Sequence, residues 1–257
     1  MPCNTRSVQL ASESESEQQW IRDKTVLVTG VNRGIGLAFV EALVDGGAER
    51  VYAGTRTIET PPAQRDGRVR PLRLDVTDEQ QIRGAVNEVG HLDLLINNAG
   101  VLTPVDVLAG DMADVARDLD VNYLGLPKVT PAFLPRLEES GGAVINILTL
   151  VALASMPGMA SYSSSKAAAF SLTQGLRTQL ASRGVAVHGV FPGAVDTDMH
   201  RGVEMPKTPA ADDARATLAA FEAGEEDIFP DPMSRSLSEI WRADPKELER
   251  QLAAMAA

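Results

Sequence analysis

Tyr162 and Lys166, in Tyr162-Ser163-Ser164-Ser165-Lys166, are the side chains of this sequence best placed to move a proton. The stretch opens a helical pattern in which Phe170, Leu176 and Leu180 recur, so positions four apart share a face and phenol and ammonium lie side by side. A phenol ionises near ~10 in water, too high for acid–base work near neutrality. A lysine cation within a few ångström favours the phenolate, and depressing the pKa by about three units requires roughly 4 kcal/mol. Thr149, thirteen residues upstream, adds a hydroxyl donor. The spacing alone also fits a packed tyrosine and a solvated lysine, so the elements that carry these residues must decide.

The β-branched run Thr25-Val26-Leu27-Val28 predicts a buried parallel strand that ends in Thr29-Gly30-Val31-Asn32-Arg33-Gly34-Ile35-Gly36. Ile35, Ala38, Phe39, Ala42 and Leu43 then keep helical period up to Gly46-Gly47. Strand, glycine turn and helix form a unit that offers backbone N–H groups to a pyrophosphate. Gly30 permits the turn, Gly34 lets the backbone approach phosphates, and Gly36 lets helix and strand close up. A second strand, Arg50 to Gly54, ends at Thr55-Arg56. A carboxylate there would bind a ribose 2′-hydroxyl; its absence, with Thr55, Arg56 and Arg33 nearby, favours the 2′-phosphate of NADP(H) over NAD.

Further strands are expected at Val69–Leu74, Leu92–Ile96, Gly142–Leu148 and Val185–Val190. Asp75 follows the third, either at the adenine edge of a nucleotide or holding the turn, and Thr77-Asp78-Glu79-Gln80 reads as a capping box. Val107 to Leu137 reads as two helices, with Pro127, Pro131 and Pro135 as irregularities near the second. Asn122 within it is unfavourable unless its amide has a task. Strand alternating with helix predicts an α/β doubly wound parallel sheet, a Rossmann fold of three αβα layers, in a single domain. Residues 21–257 form that domain, with a mobile extension over 1–20, a substrate lid over about 199–232 and helices at Met233–Trp241 and Pro245–Met255.

Composition narrows the function classes. Lys and Arg number 24 against 35 Asp and Glu, a net charge of -11, which argues against nucleic acid and anionic membrane partners. Cys3 is the single cysteine and the three histidines are scattered, so no metal site is expected. No apolar run reaches the ~20 residues that span a bilayer, and the acidic, polar N-terminal stretch is unlike a secretory signal, so a cytoplasmic protein is expected.

Taken together, Thr29 to Gly36, Asp75-Val76, Asn97-Asn98-Ala99-Gly100, Asn122, Thr149 with Tyr162 and Lys166, and Pro192-Gly193 resemble the classical short-chain dehydrogenase/reductase family over about residues 23–200. The resemblance implies that Tyr162 is the general acid in carbonyl reduction and the base in alcohol oxidation. Lys166 would bond the nicotinamide ribose and lower the Tyr162 pKa, and Asn122 would hold a water of a proton relay. Asn97 and the Ala99-Gly100 backbone would border the ribose, while Val195 and Thr197 would meet the nicotinamide carboxamide. Gly30, Asn32, Arg33, Gly34, Ile35, Gly36, Thr55, Arg56, Asp75, Val76, Pro192 and Gly193 complete the implied cofactor site.

Two departures stand out. Threonine at 149 replaces the family's usual serine, and Glu226-Asp227-Ile228-Phe229-Pro230 replaces its glycine-containing last strand. A homodimer or homotetramer is expected. Leu150, Met156, Met159, Met199 and the segment beyond His200 are candidate pocket residues that favour a hydrophobic ketone or aldehyde, with His200 itself either reaching the substrate or, the favoured reading, lying at the surface. The competing functional class is a catalytically inactive NADP-binding regulatory protein of the same fold.

Overall fold

The computed structural model describes residues 20–58, 66–202 and 204–255. Among them seven strands form one parallel sheet: β1 (Thr25–Thr29), β2 (Arg50–Thr55), β3 (Val69–Arg73), β4 (Leu94–Asn97), β5 (Ala143–Ile147), β6 (Ala186–Val190) and β9 (Asp227–Ile228). Their order, β3-β2-β1-β4-β5-β6-β9, reverses direction between β1 and β4, and a crevice opens there beyond the carboxyl ends of the strands. A separate two-residue parallel pair joins β7 (Val195–Asp196) to β8 (Thr208–Pro209).

β1 is buried at every position because both faces of the sheet are covered. Val26 and Val28 face one layer with α1 (Gly34–Asp45) and α6 (Ala210–Glu222), through Phe39, Leu43, Leu218 and Phe221. Leu27 faces the other, with α2 (Glu79–Glu88) and α4 (Gly125–Ser140) contributing Ile82, Val129, Phe133 and Leu137. α5 (Ala160–Ala181) lies on that same side through Leu176 and Leu180. Beyond the β5 and β6 ends, α7 (Pro232–Ala243) and α8 (Pro245–Ala254) pack Leu237, Leu248 and Leu252 against Leu148, Leu150 and Phe191. Among the described residues no helix is long and apolar enough to cross a membrane.

Several expectations change. The region from 107 to 137, expected as two helices with its prolines as irregularities near the second, holds two α-helical stretches joined by a π turn. α3 (Met112–Leu119) runs into a π-helical turn at Asp120–Leu124, and α4 continues unbroken through Pro131 and Pro135. A π turn re-aims a side chain without ending a helix, and the residue at its centre is Asn122. The cap of α2 is Asp78, which accepts from the N–H groups of Gln80 and Gln81, rather than Thr77. The segment expected to replace the last strand still supplies one, with Gly189 opposite Asp227 and Val190 opposite Ile228. Trp20, in the stretch expected as an extension, packs edge-on against Phe221 at 4.9 Å, and residues 1–19 lie outside those described. Within the stretch expected as a lid, α6 places Ala214, Leu218 and Phe221 in the core.

α6 carries a conspicuous buried acid. Asp213 is 0 % exposed, neither of its oxygens has a hydrogen-bond partner, and the Thr217 hydroxyl one turn on has none either. Burial, with the buried Asp231 carboxylate adding to it, pushes the Asp213 carboxyl up to about 7. A raised carboxyl holds its proton in the folded chain where the unfolded chain has released it, so its contribution to stability is full below about pH 4 and is lost as the pH rises to about 7. Asp213→Asn, which mimics the protonated acid, is expected to stabilise by about 4 kcal/mol at about pH 8 and hardly at all near pH 4 in urea unfolding. Equal effects at both pH values would contradict the burial argument.

Candidate active site

The glycine turn follows β1 directly. Gly30 has φ +72°, and a Cβ there would lie 2.7 Å from the Ala99 Cα. A Cβ on Gly36 would meet the Gly30 carbonyl oxygen at 2.3 Å and Asn98 Nδ2 at 2.4 Å, so only glycine lets α1 start this close to β1. No side chain caps α1 at Arg33, and its first turn carries no acid, which leaves the N–H groups and positive dipole end uncompensated.

A clamp that sequence reasoning missed ties this turn to β4. The Asn98 amide donates to the carbonyls of Thr29 (2.9 Å) and Gly30 (3.0 Å), while the Thr29 hydroxyl accepts from the N–H groups of Asn98 and Ala99, both at 3.0 Å. Asn97 turns the other way. Its amide donates to Asn146 Oδ1 (2.9 Å) and Thr130 Oγ1 (3.1 Å) inside the protein, and Asn146 donates on to Thr173 Oγ1 on α5. Asn97 was expected to border a ribose; both its amide donors cross-link β4, β5 and the helices.

At the end of β2 the Thr55 hydroxyl donates to the Thr57 carbonyl (2.7 Å) and accepts from the Thr57 N–H. It shapes the turn that presents the exposed Arg56 instead of being free for a ligand. Asp75 holds its own turn, accepting at Oδ1 from the N–H (2.9 Å) and hydroxyl (2.8 Å) of Thr77, so of the two readings left open the turn is observed. Val76 is buried against the start of α4. Asn32 and Arg33 are exposed on the glycine turn, and Arg33 donates to Asp198 Oδ2 at 3.2 Å. Beside that contact, Gly34, Thr197, Arg201 and Lys207 are among the residues lining a cleft of about 550 Å³. A concavity of similar size, between α6 and α7, contains none of the chemically active residues.

α5 brings the proton-transfer pair in from the other side. Tyr162 and Lys166 are both buried, on consecutive turns of one face. Lys166 Nζ donates to the Ile147 carbonyl at the end of β5 (2.7 Å), and a Cβ on Gly100 would be 3.5 Å from that nitrogen, so the ammonium stands at the switch-point crevice. Thr149, two residues beyond β5, stands beside the Tyr162 phenol. Burial drives the phenol above its ordinary value; the neighbouring Thr149 hydroxyl opposes this and the Asp118 carboxylate reinforces it. Burial also pushes Lys166 down to about 8. In the chain alone, desolvation is the largest influence on the phenol and acts against the depression expected from the neighbouring ammonium.

Asn122 is buried beside the pair. It donates to the Val101 carbonyl (2.8 Å) and to Ser165 Oγ (2.9 Å), and its Oδ1 accepts from the Val101 N–H (2.8 Å). Both of its amide donors are thus committed to protein partners. The Pro192-Gly193 turn is held from below by Asp231, the cap of α7, which accepts from the Gly193 N–H at 2.8 Å. Nothing local in the sequence points to that contact across 38 residues. Val195 is buried in β7, and Thr197 packs close to Gly34. Of the expected pocket residues, Leu150 belongs to the core and is removed from the set, Met156 and Met159 line the half-buried loop before α5, and Met199 is exposed. His200 is half-buried, with Nδ1 3.0 Å from the Val195 carbonyl, and is not the surface residue expected.

Comparison with known proteins decides the family. The short chain dehydrogenase family model matches residues 24–207. The chain belongs to the short-chain dehydrogenase family. Its fold superposes on a short chain dehydrogenase from Burkholderia cenocepacia crystallised in complex with NADP, with a TM-score of 0.86 and 38% identity, over 90% of this chain and 98% of that one. An NADPH-bound carbonyl reductase from chicken fatty liver aligns with a TM-score of 0.69 and 30% identity over 74% of this chain and 88% of that chain. In sequence it is 31% identical to the 3-oxoacyl-acyl-carrier-protein reductase of Vibrio harveyi over 237 residues, 88% of this chain and 92% of the relative. This short-chain dehydrogenase is therefore an oxidoreductase of the Rossmann type, and the buried α5 pair sits on the crevice side of its sheet.

Proposed function

We propose that this short-chain dehydrogenase reduces a hydrophobic ketone or aldehyde with NADPH, with Tyr162 as proton donor. The observation that carries the reading is the buried Tyr162 phenol, with the Thr149 hydroxyl beside it and the buried Lys166 one helical turn away. The residues present fit the nucleotide. The α1 N-terminus is uncapped, the glycine turn has room only for backbone, and Arg56 with Arg33 stands where an NAD site would carry an acid. NADP or NADPH is the cofactor crystallised with the Burkholderia and chicken relatives, which supports the same choice here.

When bound, NADPH supplies the hydride. The chain's own residues do the remainder. Thr149 and Tyr162 hydroxyls hold the carbonyl oxygen, and their hydrogen bonds strengthen as that oxygen gains negative charge. Tyr162, kept protonated by burial, passes its proton to that oxygen. Lys166, close to neutrality in its own proton balance, is suited to resupply the phenol through solvent. Asn122, locked to Val101 and Ser165, fixes the distance between the π turn and α5. Met156 and Met159 give the substrate side an apolar, adaptable lining.

NADPH consumption with a panel of aryl and alkyl ketones tests the reading, and tight NADPH binding without turnover on the whole panel would overturn it. Arg56→Ala is expected to weaken NADPH at least tenfold while leaving NADH within about twofold, because it removes one charge-assisted contact to the 2′-phosphate. An unchanged ratio of the two dissociation constants would refute the phosphate assignment.

A further inference from the structure

Two rungs join the α3 segment to α5. In the first, the Ser161 hydroxyl donates to Asp118 Oδ2 at 2.9 Å; in the second, Asn122 donates to Ser165 Oγ at 2.9 Å. Asp118 and Asn122 are four apart, as are Ser161 and Ser165, so the rungs are successive turns of one contact. Each serine immediately precedes one of the proton-transfer residues, Tyr162 or Lys166. The first rung differs from the second in carrying a charge. Asp118 is 0 % exposed, and besides Ser161 its carboxylate accepts only the Thr103 N–H at 3.1 Å. No cation pairs with it among the described residues.

A carboxylate compensated by two neutral donors keeps much of its field in a low-dielectric interior. Its charge acts on the phenol of the residue after Ser161. Among the described residues the charged groups beside this phenol are Asp118 from α3 and Lys166 from its own helix, while the turn after β5 presents the Thr149 hydroxyl. We propose that Asp118 is a positioning residue for Tyr162: through Ser161 it fixes the turn that carries the phenol, and its buried negative charge opposes phenolate formation, biasing the site toward proton donation and so toward carbonyl reduction. The proposal rests on Tyr162 being the proton donor. Burial alone raises the phenol, and the Asp118 charge acts in the same direction.

The test follows the phenol itself. The protein is labelled with carbon-13 at tyrosine Cζ, bound to NADP+, and titrated by NMR; of its three tyrosines, the resonance missing in Tyr162→Phe is Tyr162. Asp118→Asn keeps the shape of the rung and removes the charge, and the onset of Tyr162 ionisation is expected about one pH unit lower, a tenfold loss of proton affinity. Ser161→Ala keeps the charge and removes one of its two donors, so the onset is expected to stay or move upward. The alkaline limb of kcat for carbonyl reduction shifts down with Asp118→Asn in the same way. If Asp118→Asn fails to fold, Asp118→Ser makes the same comparison. An unmoved onset in the charge-free variant overturns the proposal, as does an equal downward shift in Ser161→Ala, which would leave the rung a purely structural tie. A Tyr162→Phe enzyme that still turns over would instead overturn the proton-donor reading while leaving the titration difference standing.

Discussion

Tyr162→Phe is expected to lower the rate of NADPH-dependent carbonyl reduction by about 10²–10⁴-fold, the range attributed to a positioned general acid. The substitution deletes one oxygen from a fully packed position, so the α5 helix and the Lys166 contact to the Ile147 carbonyl remain. NADPH affinity should consequently change by no more than about twofold, which separates loss of proton transfer from loss of binding. Because burial keeps the phenol protonated through neutrality, the wild-type reductive rate should be flat up to at least about pH 8 on account of Tyr162. Parallel rate and binding assays check both statements. Retained turnover would remove Tyr162 from the chemistry.

Gly36→Ala addresses the other half of the site. The added methyl would press 2.3 Å from the Gly30 carbonyl oxygen and 2.4 Å from Asn98 Nδ2, both held in place by the Asn98 clamp. Neither is the free end of a flexible side chain, so α1 must shift away from β1. Overpacking of this kind costs about 1–3 kcal/mol. Moving the helix N-terminus also misplaces the N–H groups aimed at the pyrophosphate, and NADPH affinity is expected to fall at least tenfold. Urea unfolding and cofactor titration measure the two effects. A stable variant with normal NADPH affinity would contradict the close approach.

Much of this architecture is legible in the sequence because its signals are local. A continuous apolar, β-branched run marks β1, the glycines mark a turn with no space for a Cβ, and the four-residue interval places Tyr162 above Lys166. What sequence reasoning missed is carried by partners far apart in the chain. Asn98 grips Thr29 across 69 residues, Asp231 holds Gly193 across 38, and Asp118 meets Ser161 across 43. No periodicity announces such pairs. Position alone points Thr55 and Asn97 at a ligand, yet the Thr55 hydroxyl donates to the Thr57 carbonyl and both Asn97 amide donors bond inside the protein, as buried polar groups do. The prolines of α4 mislead for a related reason: tertiary packing of Val129, Phe133 and Leu137 outweighs the lost backbone bonds. The electrostatics of Tyr162 needed the fold as well, since helical spacing reveals its ammonium neighbour but not the depth of burial that dominates.

The most direct measurement of the central claim is the fate of the hydride. NADPH carrying deuterium at the transferable position of the nicotinamide is incubated with the protein and a hydrophobic ketone, and the product is analysed by mass spectrometry. The arrangement of Thr149, Tyr162 and Lys166 predicts an alcohol with one deuterium on the carbinol carbon, formed by the wild type and suppressed in Tyr162→Phe. NADPH that binds tightly yet transfers no deuterium to any carbonyl of a broad panel would contradict it.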